Sequence, residues 1–82
     1  MLYNSQIAGQ VIGRLRTERG MSQEVLSGLA GIARSHLSMI ENGSKTANVE
    51  TLSRIAAALD MRLSELFYLV EEELSHSSSR PP

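Results

Sequence analysis

At 82 residues, 41% of them hydrophobic and 21% charged, the chain is the length and composition of one small globular domain with a modest core. It has no cysteine, which excludes a disulfide framework, a thiolate metal site and a cysteine nucleophile. The formal net charge of −1 argues mildly against nucleic acid as a partner, since phosphate contacts normally call for a basic surface. The distribution softens that point: Glu71, Glu72 and Glu73 stand near the C-terminus with only Arg80, leaving residues 1–70 with seven basic and six acidic side chains. The longest apolar run, Leu66 to Val70, is far short of a membrane span. No basic segment followed by an apolar one opens the chain, so no secretion signal is expected and the cytoplasm is the expected location.

Met1 to Asn4 reads as a frayed start. From Ser5 to Arg19, Ala8, Ile12 and Leu15 recur at helical spacing, with Ile7 and Val11 widening the stripe. Gly20 ends this first helix, and Arg16 and Arg19 lie in the last turn, where the helix dipole favours cations. Ser22 is the expected N-cap of a second helix carrying Leu26, Leu29 and Ala30 inward, with Gly28 a weak spot inside it. Gly31 is expected in the left-handed conformation of a sharp turn. A third helix then spans roughly Ala33 to Glu41, with Ala33, Leu37 and Ile40 at helical spacing.

A polar loop, Asn42 to Ala47, follows. Asn48 caps a fourth helix whose buried stripe is expected to be Val49, Leu52, Ile55, Ala56 and Leu59. Asp60 stands where glycine would usually end that helix, a backbone position aspartate tolerates. A fifth helix begins near Leu63, carries Leu63, Leu66, Phe67 and Val70 inward, and is expected to end near Leu74. Ser75 to Pro82 has no apolar anchor and is expected to be a disordered tail. No stretch has strand periodicity. The expected fold is therefore all-α, a compact five-helix bundle over residues 5–74.

Two helices of about two turns hinged at Gly31 match the helix-turn-helix pattern, whose second helix enters the DNA major groove. With Leu37 and Ile40 inward, Ser35, Ser38, Met39 and Asn42 point away from the core, and Arg34 and His36 lie on the flanks. Glu41 falls at the core boundary. These side chains suit base edges: arginine grips guanine bidentately, serine donates or accepts, and an apolar group meets a thymine methyl. On an arbitrary amphipathic helix such a face is usually only solvated. An exposed Met39 among serines, on a helix opened by a glycine turn, favours contact instead.

The stretch RLRTERGMSQEVLSGLAGIARSHLSMIENG, continued by VETLSRIAAAL and LSELF, resembles the lambda-repressor-like, XRE-type helix-turn-helix family over about residues 8–67. The resemblance implies a DNA-binding transcriptional regulator, usually a homodimer on a palindromic operator, of the kind found among phage repressors, restriction–modification controllers and antitoxins. It implies that Gln23 contacts a phosphate, that Arg34, Ser35 and Met39 read bases, and that His36 and Ser38 reach backbone or neighbouring bases. Lys45 and Thr46 would touch phosphates. Arg16 and Glu41 match residues that pair with each other in the family, and the helical wheel independently turns Glu41 toward a partner in helix one. The sequence departs from the family's pattern at Ala33, which replaces a capping hydroxyl residue, at Ser27, at Met39, which replaces a commonly polar residue, and at Arg62.

Other chemistry finds little support. His36 and His76 have no carboxylate or cysteine spaced to complete a metal site, so neither a metal nor a cofactor is expected. The serines fall at caps, on exposed faces and in the tail rather than beside a base, so no enzymatic activity is expected. Tyr68 and Leu69 widen the apolar belt of the fifth helix beyond one face. That either covers the bundle's edge or forms a dimer contact. The expected partners are double-stranded DNA and a second copy of the chain, with no membrane; the alternative is an antitoxin or interaction module whose main partner is another protein.

Overall fold

Side chains supplied by the sequence start most of the helices. The computed structural model describes residues 2–79 and contains α1 (Ser5–Glu18), α2 (Gln23–Ala30), α3 (Arg34–Glu41), α4 (Val49–Ala58) and α5 (Leu63–Ser79), with no strand among the described residues. Asn4, Ser22 and Asn48 cap α1, α2 and α4: each side-chain oxygen accepts from the backbone N–H three residues on, at 3.0, 3.1 and 2.8 Å. Asn4 is thus ordered, not frayed, and Tyr3 just before it meets Phe67 edge-to-face with ring centroids 5.8 Å apart. Ala33 holds the extended N-cap conformation of α3 but has no side chain to cap with. At α5 the missing cap is offset from the other side: Glu65 Oε1 accepts from the Arg62 N–H at 2.8 Å, half of a capping box.

The stops are equally local. Gly31 ends α2 at φ +71°, and Asp60 follows α4 at φ +58°, both left-handed. Arg19 is the C-cap residue of α1, and its guanidinium donates 3.1 Å to the Leu59 carbonyl at the C-cap of α4, so one cation serves two helix ends.

Ile12, Leu26, Leu37, Ile55, Leu59 and Leu66 form the fully buried centre of a single core that all five helices share. Within it α2 packs on α3 and α4, α1 on α3 and α5, and α4 on α5. Leu63 and Phe67 pack against it partly buried, and Leu66 and Val70 fully, so the expected inward stripe of α5 holds.

Two expected core residues lie outside it. Leu29 is 63% exposed and Val49 62%. In each helix a small hydroxyl residue takes the inner place and turns the buried arc away from the larger apolar one. Ser27 is buried with its hydroxyl donating 3.1 Å to the Glu24 carbonyl, and Thr51 is buried beside Leu52. The end of α5 also differs from expectation. The helix runs through Leu74, which packs against the core, and on to Ser79, so residues 75–79 are helical and not a disordered tail. Serine is only a mild helix disfavourer, and no proline intervenes before Pro81. Arg80, Pro81 and Pro82 lie outside the described residues. Just before that extension, Glu73 accepts from Arg14 of α1 at 2.8 Å and ties the C-terminal half of α5 to the bundle.

Candidate nucleic-acid interface

The left-handed Gly31 sets α3 at an angle to α2, and α3 is fixed from beneath at three levels. Leu37 and Ile40 are buried. Gly9 of α1 lies directly under the last turn, where a Cβ would collide with the Ile40 carbonyl, so only glycine permits so close an approach of α1 and α3. Third comes an ion pair. Arg16 Nε and Nη2 donate to Glu41 Oε2 and Oε1 at 2.8 and 3.0 Å, a bidentate fork joining α1 to the end of α3. The two side chains are 19% and 10% exposed, so the pair is largely shielded from screening by solvent. The hydrogen bond to Glu41 raises the Arg16 pKa above its ordinary value against the opposing effect of burial. The remaining Arg16 nitrogen, Nη1, donates 2.8 Å to the Met21 carbonyl just ahead of α2. One guanidinium therefore ties together α1, the approach to α2 and the end of α3.

With its inner side held, α3 presents the rest to solvent. Arg34, Ser35 and Met39 are exposed, Met39 by 38%, and His36 and Ser38 are half-buried on the flanks of the same face. Arg34, Ser35 and Met39 thus share one outward surface, and none of their side chains is required by the core. The following loop folds back on the helix end. Lys45 N–H donates 3.2 Å and Ser44 Oγ 3.4 Å to the Met39 carbonyl, and Asn42 Oδ1 accepts from the Ser44 N–H at 2.8 Å. These bonds leave Lys45 and Thr46 exposed just beyond the C-terminal end of α3.

Gln23 differs from the simple phosphate contact expected of it. It is half-buried at the first position of α2, and its Nε2 donates 3.0 Å to Glu41 Oε1. That bond uses one of the two amide hydrogens and leaves the other, with the amide oxygen, for a ligand. No spacing rule links residues 23 and 41; the only hint in the sequence is that Glu41 is a carboxylate at the core boundary with acceptor capacity beyond one arginine. No buried side-chain nitrogen or oxygen is unsatisfied among the described residues.

Among the described residues no group of three or more histidine, cysteine, aspartate or glutamate side chains is gathered as a metal site. No helix among the described residues is long and apolar enough to cross a membrane. Two concave features lie where α4 meets α5, and a third is lined by Tyr3, Phe67, Glu71 and Leu74; none of the three is lined by an α3 residue. One, of about 260 Å³, is lined by Met61, Ser64, Glu65, Tyr68 and Leu69.

An outward helix joined to its predecessor by a left-handed glycine is the arrangement that helix-turn-helix proteins use, and residues 12–66 match that family. The chain belongs to the Cro/cI-type helix-turn-helix family. It is similar to the control protein C.MunI from Mycoplasma sp, 36% identical over 66 residues that cover 79% of this chain and 89% of that one. Among solved structures it resembles the restriction–modification controller C.AhdI from Aeromonas hydrophila, with 37% identity, a TM-score of 0.73 and coverage of 76% and 94% of the two chains. It also resembles a point variant of the controller C.Esp1396I bound to its highest-affinity operator site, with 26% identity, a TM-score of 0.81 and coverage of 89% and 96%. The five-helix all-α fold expected from periodicity is the fold of these controllers. As a member of the family, this helix-turn-helix protein is a DNA-binding regulator of transcription.

Proposed function

We propose that this helix-turn-helix protein is a controller-type regulator that binds a palindromic operator as a homodimer and carries no catalytic activity. In this reading Arg34, Ser35 and Met39 meet base edges, His36 and Ser38 reach the flanking backbone or bases, and Gln23, Lys45 and Thr46 hold phosphates. The observation that carries it is the division of labour on α3. Leu37, Ile40 and Glu41 are taken up by the body of the protein, while Arg34, Ser35 and Met39 are exposed together with no structural task.

The dimer is supported by geometry and by charge. A two-turn helix in one groove offers few contacts, and with a net charge of −1 bulk attraction to DNA adds little. Two copies would set their α3 helices in successive major grooves ~34 Å apart. Tyr68, 60% exposed beside the α4–α5 groove, supplies apolar surface for the contact between copies. A fluorescence-anisotropy titration with selected operator duplex tests the reading. Saturable binding that weakens as salt rises is expected; undetectable binding, or binding indifferent to salt, would overturn it.

A further inference from the structure

Arg16 is an odd cation for a protein with so little positive charge to spare. It lies at the DNA-facing unit, its Nη1 on the Met21 carbonyl two residues ahead of Gln23, yet its other two nitrogens, Nε and Nη2, both donate to Glu41. Glu41 in turn accepts three hydrogen bonds, the third from the Gln23 amide at 3.0 Å. The side chain expected to touch a phosphate is therefore bonded to a carboxylate, and the cation behind it is neutralised by that same carboxylate. Left unpaired, a carboxylate at this place would repel the phosphate; left unpaired, the guanidinium would attract phosphates of any sequence.

From this geometry we infer that Glu41 is a positioning and specificity-determining residue for DNA binding: it cancels the charge of Arg16 and orients the Gln23 amide, so that the phosphate meets a neutral donor. The inference rests on the DNA-binding reading and deepens it. Holding one Nε2 hydrogen on Glu41 Oε1 fixes the amide plane, which directs the second hydrogen outward beside the first-turn N–H groups of α2. A neutral donor fixed in this way rewards a phosphate in register but releases few counterions. Non-specific affinity stays low, and the ratio of operator to random binding rises.

The test uses the full chain of wild type, Glu41→Gln, Gln23→Ala and the double variant, each first checked for cooperative thermal unfolding. Affinities for a selected operator duplex and for a random duplex of equal length are measured over a range of salt. Glu41→Gln leaves Arg16 uncompensated. Its random-duplex affinity should rise severalfold and its slope of log K against log salt should steepen by up to about 0.9 per site, one further phosphate neutralised. A merely structural role would lower both affinities and leave the slope alone. Gln23→Ala should weaken operator binding by roughly tenfold with the slope unchanged, because the lost donor is neutral. In the Glu41→Gln background the same truncation should cost less, the orientation having already been lost.

An unchanged slope and an unchanged operator-to-random ratio in a folded Glu41→Gln variant would overturn the inference. So would a Gln23→Ala variant that binds operator like wild type, and this second measurement stands even where Glu41→Gln fails to fold. A wild type that binds neither duplex would instead overturn the DNA-binding reading, before any variant is compared.

Discussion

At the scale of single residues, the exposed side chains of α3 and its loop separate into two kinds. Arg34 is a fork on the outward face, and Lys45 is a point charge beyond the helix end, held there by the bond from its N–H to the Met39 carbonyl. Arg34→Ala should therefore lower affinity by about 1–3 kcal/mol for the best sequence and flatten preference at one base pair in each half-site. Lys45→Ala should weaken all sequences alike and reduce the salt slope by about one. Parallel binding selections and salt titrations on the two variants separate these outcomes. Met39 makes a different prediction. Its thioether has only apolar contact to offer, so replacing thymine by uracil at the position it meets should weaken wild-type binding severalfold and leave Met39→Ala unaffected. A scan of uracil substitutions along the operator locates that position, or shows that none exists.

At the scale of elements, α3 is the helix least supported by its own sequence. Its N-cap residue, Ala33, already has the extended cap conformation at φ −68° and ψ 145° but lacks an acceptor. Ala33→Ser should stabilise the fold by ~1 kcal/mol, read as a rise in the urea midpoint at constant m-value. The same scale shows what the sequence made legible. Ser22, Asn48, Gly31 and Asp60 punctuate their helices as turn and cap chemistry requires, because those signals act over three or four residues. Leu29 and Val49 misled for a physical reason. In helices of 8 and 10 residues the buried arc is set by a few side chains, and a small satisfied Ser27 or Thr51 inside it outweighs one large apolar residue at its edge. The extension of α5 past Leu74 was hidden for a similar reason. Residues 75–79 carry no apolar stripe of their own, so no hydrophobic spacing signals that the helix continues.

For the site, the Arg16–Glu41 fork was legible from helical phase together with the family resemblance, and it has the bidentate geometry that such a pair needs. The bond from Gln23 to Glu41 was not. It joins two helices at a distance of 18 residues through an acceptor lone pair that no pattern of spacing exposes. Side-chain hydrogen bonds of this kind are a property of the assembled bundle.

For the whole molecule, the governing quantity is the small charge. A chain at −1 overall gains little from long-range attraction, so in the proposed dimer avidity from two copies and shape in the groove supply the affinity. Tyr68→Glu would place a charge on the apolar α5 surface proposed for the second copy. Sedimentation should then show a monomer at concentrations where wild type is dimeric, with the melting temperature of the monomer fold little changed and operator affinity lowered at least tenfold. A variant that remains dimeric would move the interface away from α5.

Selection of bound sequences from random DNA by the wild-type protein tests the central claim most directly. The account predicts an enriched palindrome whose half-sites lie about one helical turn apart, and titration of that palindrome should weaken with salt. Failure to enrich any sequence, or enrichment of a single half-site bound by one copy, would contradict it.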